Sequence, residues 1–279
     1  MYYRFLAFPQ FKQKALTLSY DDGVIYDKKL IEIMQKHGLK GTFNINSELF
    51  AQNEDERRMT EKTAIELYKS TGMEIAVHGA KHWSLAEVPS EMMVRDVAVD
   101  RENLEKLTGT LVQGMAYANG SYSDEVVEVL KKCGIKYSRT TVSTGKFLIP
   151  NDWLRMPATC HHNDPRLMEL AKAFIEEPNG KYYWSQRNKL FYLWGHSYEF
   201  NDNNNWEVIE EFAAYMGGRN DIWYATNGEI YDYVQAYNRL EFSLAGTRVH
   251  NPSTIDVYLD YLGNQVVVPA GKTVELPKI

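Results

Sequence analysis

Two cysteines in 279 residues are too few for a disulfide framework. Cys133 closes a helical run in "VLKKCG" and reads as a small buried hydrophobe, and Cys160 stands alone, so nothing demands an oxidising compartment. Long apolar runs are missing too. No stretch reaches membrane-spanning length, and the opening "MYYRFLAFPQFKQ" lacks the basic-then-apolar order of a signal peptide. A cytoplasmic protein is the plain expectation, and a secreted or periplasmic one is the alternative if a leader has been removed. Basic charge is scarce: 31 Lys and Arg against 37 Asp and Glu leave a net charge of −6, with no Lys/Arg stripe to serve a nucleic acid. Neither a GxGxxG nor a P-loop opens the first βα unit, which argues against dinucleotide or nucleoside triphosphate binding.

What is there suits a globular α/β protein. Hydrophobic residues make up 44% of the chain, enough for a sizeable core. Its rings, 19 Tyr, 11 Phe and 6 Trp, are core by default, although aromatic walls also contact sugar rings. Short β-branched runs predict strands at 15–20, 40–45, 73–77, 111–116, 135–138, 189–194 and 221–225. Helical segments lie between them. One begins with Ser90 as N-cap and ends at Gly109, and another runs from an N-cap at Ser123 to Gly134. A third, over residues 163–177, has Asp164 as N-cap and Pro165 at its first position. Alternating strands and helices imply a mostly parallel sheet, and the length favours a closed or nearly closed barrel. After residue 240 the pattern changes to short alternating runs with hairpin turns. Residues 1–240 therefore form the barrel, and 241–279 a small antiparallel β appendage packed on it.

Polar residues gather where strands end. Asp21 and Asp22 in "SYDDG" close the first strand, His78 and His82 in "VHGAKH" follow the third, and His196 and Glu199 in "LWGHSYEF" follow the sixth. Each feature alone has an ordinary reading: Asp-Asp-Gly makes turns, and a lone His is often structural. In a βα barrel, however, the C-terminal strand ends share one rim. Two His and a carboxylate there make a three-ligand metal site with positions left open for water and substrate, as hydrolytic zinc sites have.

Together, "LTLSYDDG", "VHGAKH" and "LWGH" resemble the polysaccharide deacetylase family (carbohydrate esterase family 4, the NodB homology domain) over roughly residues 14–238. The resemblance implies a distorted seven-stranded (β/α) barrel. It also implies Asp21 as catalytic base, Asp22, His78 and His82 as metal ligands, and His196 as general acid, with Trp194 where the family has leucine. The implied reaction is removal of acetyl groups from N-acetylated or O-acetylated sugars, dependent on one divalent metal. Zinc suits the ligands first; cobalt, nickel, iron and manganese are compatible.

The family's Arg-x-Pro-Tyr motif should fall in "MAYANGSYS", where Ala116 and Ala118 stand instead, and its Asp-x-x-Asp-Trp motif is not recognisable in "YSRTTVSTGKF". Arg155 in "WLRMP" is then the first choice for the positive partner of Asp21, and Arg139 the second. Tyr117, Asn119, Tyr122, Trp194 and Glu199 complete the candidates for binding or orienting substrate. His161 and His162 are expected in a long loop, in a capping or surface role, with a place lining the pocket as the alternative. The substrate expected is an acetylated carbohydrate, or in a second reading a small linear or cyclic amide. A third reading is a non-catalytic carbohydrate-binding protein on a degenerate barrel. No nucleic acid and no membrane span are expected, and oligomeric state is left open.

Overall fold

In the computed structural model, which describes residues 3–53, 57–176 and 188–277, the run "KALTLSYD" is buried along its whole length. A strand apolar without alternation must be covered on both faces, and parallel strands flanked by helices are. A two-residue strand, β1 (Leu6–Ala7), precedes this one, β2 (Lys14–Asp21). There follow α1 (Asp27–Lys36), β3 (Gly41–Ile45), α2 (Glu61–Thr71), β4 (Glu74–Val77), α3 (Ser90–Thr108), β5 (Gly114–Ala116), α4 (Asp124–Lys132) and β6 (Tyr137–Ser143). Next come β7 (Met156–Ala158), β8 (Cys160–His161), α5 (Leu167–Glu176), β9 (Lys189–Gly195), α6 (Ser197–Asp202), α7 (Glu207–Met216), β10 (Ile222–Tyr224) and α8 (Asn227–Asn238).

The parallel sheet runs β7-β6-β5-β4-β3-β2-β9-β8. Its two ends are one piece of chain, since only Thr159 separates β7 from β8. The Ala158 carbonyl accepts from Thr144 N at 3.0 Å, and Thr159 N donates to the Tyr192 carbonyl at 2.8 Å. The sheet thus closes as a distorted seven-stranded barrel, the architecture expected, but with a different seventh strand. The predicted strand at 221–225 exists as β10 yet stands outside the ring, paired with Lys14–Leu16 of β2, whereas β3 pairs with β2 from Leu18 onward. The closing stretch at 156–161 escapes periodicity because it is two short pieces with Pro157 inside one of them.

Helices bury one stripe each against this sheet. On α1, Leu30, Ile31, Ile33 and Met34 face inward, and on α4, Val126, Val127, Val129 and Leu130 do. Ser123 caps α4 by accepting from Val126 N at 3.2 Å. The cap predicted at Ser90 is one residue late: Ser90 is already helical, and Pro89 precedes it. Asp164 accepts from Arg166 N ahead of α5, and Glu177, the last residue of that predicted helix, lies outside the described residues.

Beyond α8 lie β11 (Glu241–Phe242), β12 (Arg248–His250), β13 (Val257–Tyr261), β14 (Asn264–Val268) and β15 (Thr273–Glu275). They form two three-stranded antiparallel sheets, β11-β12-β15 and β1-β13-β14. The second includes a strand from the start of the chain, Leu6 opposite Leu259. Val249, Val257, Leu259 and Val268 form a small core there. Among the described residues no helix is long and apolar enough to cross a membrane.

Candidate active site

The strand ends converge as barrel topology requires. Asp21 is the last residue of β2, and the next, Asp22, has a φ of +85°, a region costly for any residue with a Cβ. His82 also has positive φ, +57°. Two of the three candidate ligands thus sit in backbone conformations that only surrounding contacts can hold, a pattern that clusters at functional sites. Asp22 N donates to the Asn44 carbonyl at 2.9 Å, and its own carbonyl accepts from Arg58 Nη1.

Asp22, His78 and His82 each offer a ligand atom within 4.8 Å of the others. Asp22 Oδ1 stands 3.5 Å from His82 Nε2 and 3.9 Å from His78 Nε2, and it is buried without a hydrogen-bond partner. His78 Nδ1 lies 2.9 Å from the Ala116 carbonyl, which puts the ring proton on Nδ1 and leaves the Nε2 lone pair facing Asp22. Burial pushes the His78 pKa down against the pull of Asp21 and Asp22, which favours the neutral ring a metal needs. A tetrahedral ion with bonds of about 2.0–2.1 Å holds its ligand atoms about 3.3 Å apart, so the three residues fit a divalent cation.

Asp21 lies beside this group and is buried. Its Oδ1 accepts from Asn44 Nδ2 at 2.8 Å, and its Oδ2 is ion-paired with Arg139 Nη2. Burial alone would raise its pKa, but the Arg139 guanidinium, with His78 and His196, more than offsets this and holds it at about 2. Arg139 is fully buried on β6 and lies with its guanidinium 4.3 Å from the centre of the Trp194 ring. The first-choice partner, Arg155, is elsewhere. It ends the 3-10 turn Trp153–Arg155 and pairs with Asp152 and Asp124 at the surface.

His196 faces Asp21 from the other side, Nε2 to Oδ2 at 3.9 Å, with its Nδ1 3.5 Å from Glu199 Oε1. Burial lowers its pKa, but Glu199, Asp21 and Asp22 raise it more, so it stays above the ordinary value. Trp194 lies under Arg139, and Tyr122 is exposed on the rim. Tyr117 is buried, donating to the Leu154 carbonyl at 2.7 Å, which makes it a packing residue; Asn119 donates to Ser84 Oγ at 3.1 Å across two rim loops.

His161 and His162 correct the expectation of a surface loop. His161 ends β8, and His162 is buried, stacked between Tyr20 and Phe200, with Nε2 2.7 Å from Glu199 Oε2. Asp96 and Asp100 on α3 were not anticipated either. Asp100 accepts from His78 N at 2.9 Å and Ser47 N at 2.7 Å, and Asp96 from Lys81 N at 2.8 Å. Their signal in sequence is an Asp pair at i, i+4 whose burial shows only in three dimensions.

Residues 9–138 match the family model described as polysaccharide deacetylase. No relative was found among curated proteins. A Mycobacterium smegmatis protein classed as a polysaccharide deacetylase shares the fold at a TM-score of 0.61, with 16% identity over 84% of this chain and 94% of its own. The Streptococcus pyogenes deacetylase PplD, solved in complex with acetate, aligns with 22% identity over 50% of this chain and 61% of its own, at a TM-score of 0.46. A CE4 family pseudoenzyme from Bacillus anthracis aligns with 15% identity over 81% and 68%, at 0.48. The chain therefore spans less than two thirds of the S. pyogenes deacetylase, and the fold likeness rests on the M. smegmatis structure. The match begins just before β2 and ends inside β6, so it takes in Asp21, Asp22, His78 and His82. The match, over a little under half of the chain, and the shared barrel support a divergent member of the polysaccharide deacetylase family.

Proposed function

We propose that the protein is a metal-dependent hydrolase that removes acetyl groups from N-acetylated or O-acetylated sugars. The observation that carries this reading is the place of Asp21: its Oδ2 lies 3.8 Å from His78 Nε2 on one side and 3.9 Å from His196 Nε2 on the other. A divalent cation held by Asp22, His78 and His82, zinc first by donor type, supplies Lewis acidity and a lowered pKa for water. Asp21, ionised at any physiological pH, takes the proton of the attacking water as the new bond to the acetyl carbon forms. His196, with its proton favoured by Glu199, gives a proton to the leaving amine nitrogen or alcohol oxygen as its bond to that carbon breaks. Arg139 keeps the base charged, and Asn44 fixes its second oxygen.

The test is acetate release from fragments of chitin, peptidoglycan and xylan and from small amides, after chelation and after return of zinc or cobalt. Release should require the metal, and Asp21→Asn or His196→Ala should lower kcat by about 10²–10⁴-fold. Protein that binds no divalent metal, or an Asp22→Ala variant as active as wild type, would sink the reading. The same panel separates sugar from small-amide substrates, since the chemistry at Asp21 and His196 is common to both.

A further inference from the structure

On the far side of Asp21 from the metal triad, three imidazoles surround one carboxylate. His161 Nε2 lies 3.3 Å from Glu199 Oε2, His162 Nε2 lies 2.7 Å from the same oxygen, and His196 Nδ1 lies 3.5 Å from Oε1. Asn163 Nδ2 also donates to Oε2, at 3.2 Å. His161, His196 and Glu199 each offer a ligand atom within 4.8 Å of the others, the spacing found in Asp22, His78 and His82. The proposed mechanism leaves His161 and His162 without a task.

We infer that His161, His196 and Glu199 form a second divalent-cation site, weaker than the first, whose filling switches the hydrolase off. The inhibitory consequence rests on the reading of His196 as the proton donor. Two imidazoles and a carboxylate are the donors zinc-class ions take, and the 3.3 Å from His161 Nε2 to Glu199 Oε2 matches the edge of a tetrahedral ion, about 3.3 Å, with a donor atom of His196 within 4.8 Å of both. A second observation points the same way. His196 Nδ1, one of the three donors, is buried without an aligned hydrogen-bond partner. Buried nitrogens left so are costly unless something completes them.

The weakness has a structural cause. His161 Nδ1 accepts from Asn163 N at 3.1 Å, so the neutral ring carries its proton on Nε2. Coordination through Nε2 moves that proton to Nδ1 and breaks this bond, and His196 must release its Nδ1 proton to solvent. Once a cation holds Nδ1, His196 is left a neutral ring with one N–H on Nε2, far too weak an acid to protonate a leaving amine.

Zinc bound per chain is counted by equilibrium dialysis on tag-free wild type, Asp22→Ala and His161→Phe, the phenyl ring keeping the edge contact of His161 with Trp194. The expected result is two ions for wild type and one for each variant. Wild-type acetate release should rise with the first equivalent and fall about a hundredfold in excess zinc, while His161→Phe keeps the one-equivalent activity and loses the inhibition. His161→Ala serves as the second variant should the ring be poorly accommodated. Wild type that saturates at one ion, or His161→Phe that is inhibited as strongly as wild type, overturns the proposal. If Asp22→Ala binds as wild type while His161→Phe loses one ion, the second site stands and the triad reading fails.

Discussion

Arg139 shows how much a single side chain sets at this rim. A fully buried guanidinium is costly without a partner, and so is a buried carboxylate; Arg139 and Asp21 answer each other, with the Trp194 face closing the third side. Removing the cation leaves Asp21 in a site where burial pushes its pKa up. Arg139→Met should therefore lower kcat/KM about a hundredfold at neutral pH and move the acidic limb of the pH profile upward, because the base is then protonated over part of the working range. It should also destabilise the protein by about 3–5 kcal/mol, the usual consequence of orphaning a buried ion. Arg155→Ala, whose ion pairs are at the surface, should change neither measurement. A pH profile unmoved by Arg139→Met would show that the charge of Asp21 is set by something else.

Among the elements, α3 does for the proposed metal ligands what β6 does for the proposed base. Asp100 accepts from His78 N and Ser47 N, Asp96 accepts from Lys81 N, and Gly79 approaches Asp96 so closely that no Cβ would fit. The turn carrying His78 and His82 is thus clamped from behind by two carboxylates one helical turn apart. Asp100→Asn can accept only one of the two N–H groups and turns an N–H₂ toward the other. It should weaken metal binding by about 10–100-fold, read by chelator competition, with little loss of kcat once the metal is saturating. Equal affinity in the variant would mean the turn holds itself. Such supports are hard to read in a sequence, whereas the rim residues Asp21, Asp22, His78, His82 and His196 are legible because chemistry concentrates at strand ends. Asp96 and Asp100 look like exposed helix acids until the packing of α3 is known. Arg139 sits mid-strand, where only the closed ring reveals which way a side chain faces, so Arg155, two residues before Pro157, is the more visible choice. Most ring strands are plain from their apolar runs, but the closing one, broken at Thr159 and holding Pro157, carries too little pattern to be seen.

For the molecule as a whole, Asp27 ties α1 to α2 and α6: its carboxyl accepts from Tyr68 Oη at 2.7 Å and from Ser197 Oγ. Burial pushes its pKa up to about 7, against the pull of the two hydroxyls. The sign of the linkage follows. Below about pH 4 both folded and unfolded chains hold this proton and nothing is lost; between pH 4 and 7 only the unfolded chain ionises, and the folded state loses up to about 4 kcal/mol. In metal-free protein, Asp27→Asn should therefore leave Tm near the wild-type value at pH 4 and raise it at pH 8. A difference that does not grow with pH would show that Asp27 is ionised in the fold. The pairing of β1 with β13 bears on how the chain is made. Leu6 and Ala7 leave the ribosome well ahead of their partners Leu259 and Tyr258, which follow some 250 residues later. At about 5–20 residues per second, the opening strand waits on the order of ten seconds or more with its edge unpaired. Through that interval an apolar segment of the nascent chain is open to chaperones and to the same segment on a neighbouring ribosome, until β13 emerges to cover it.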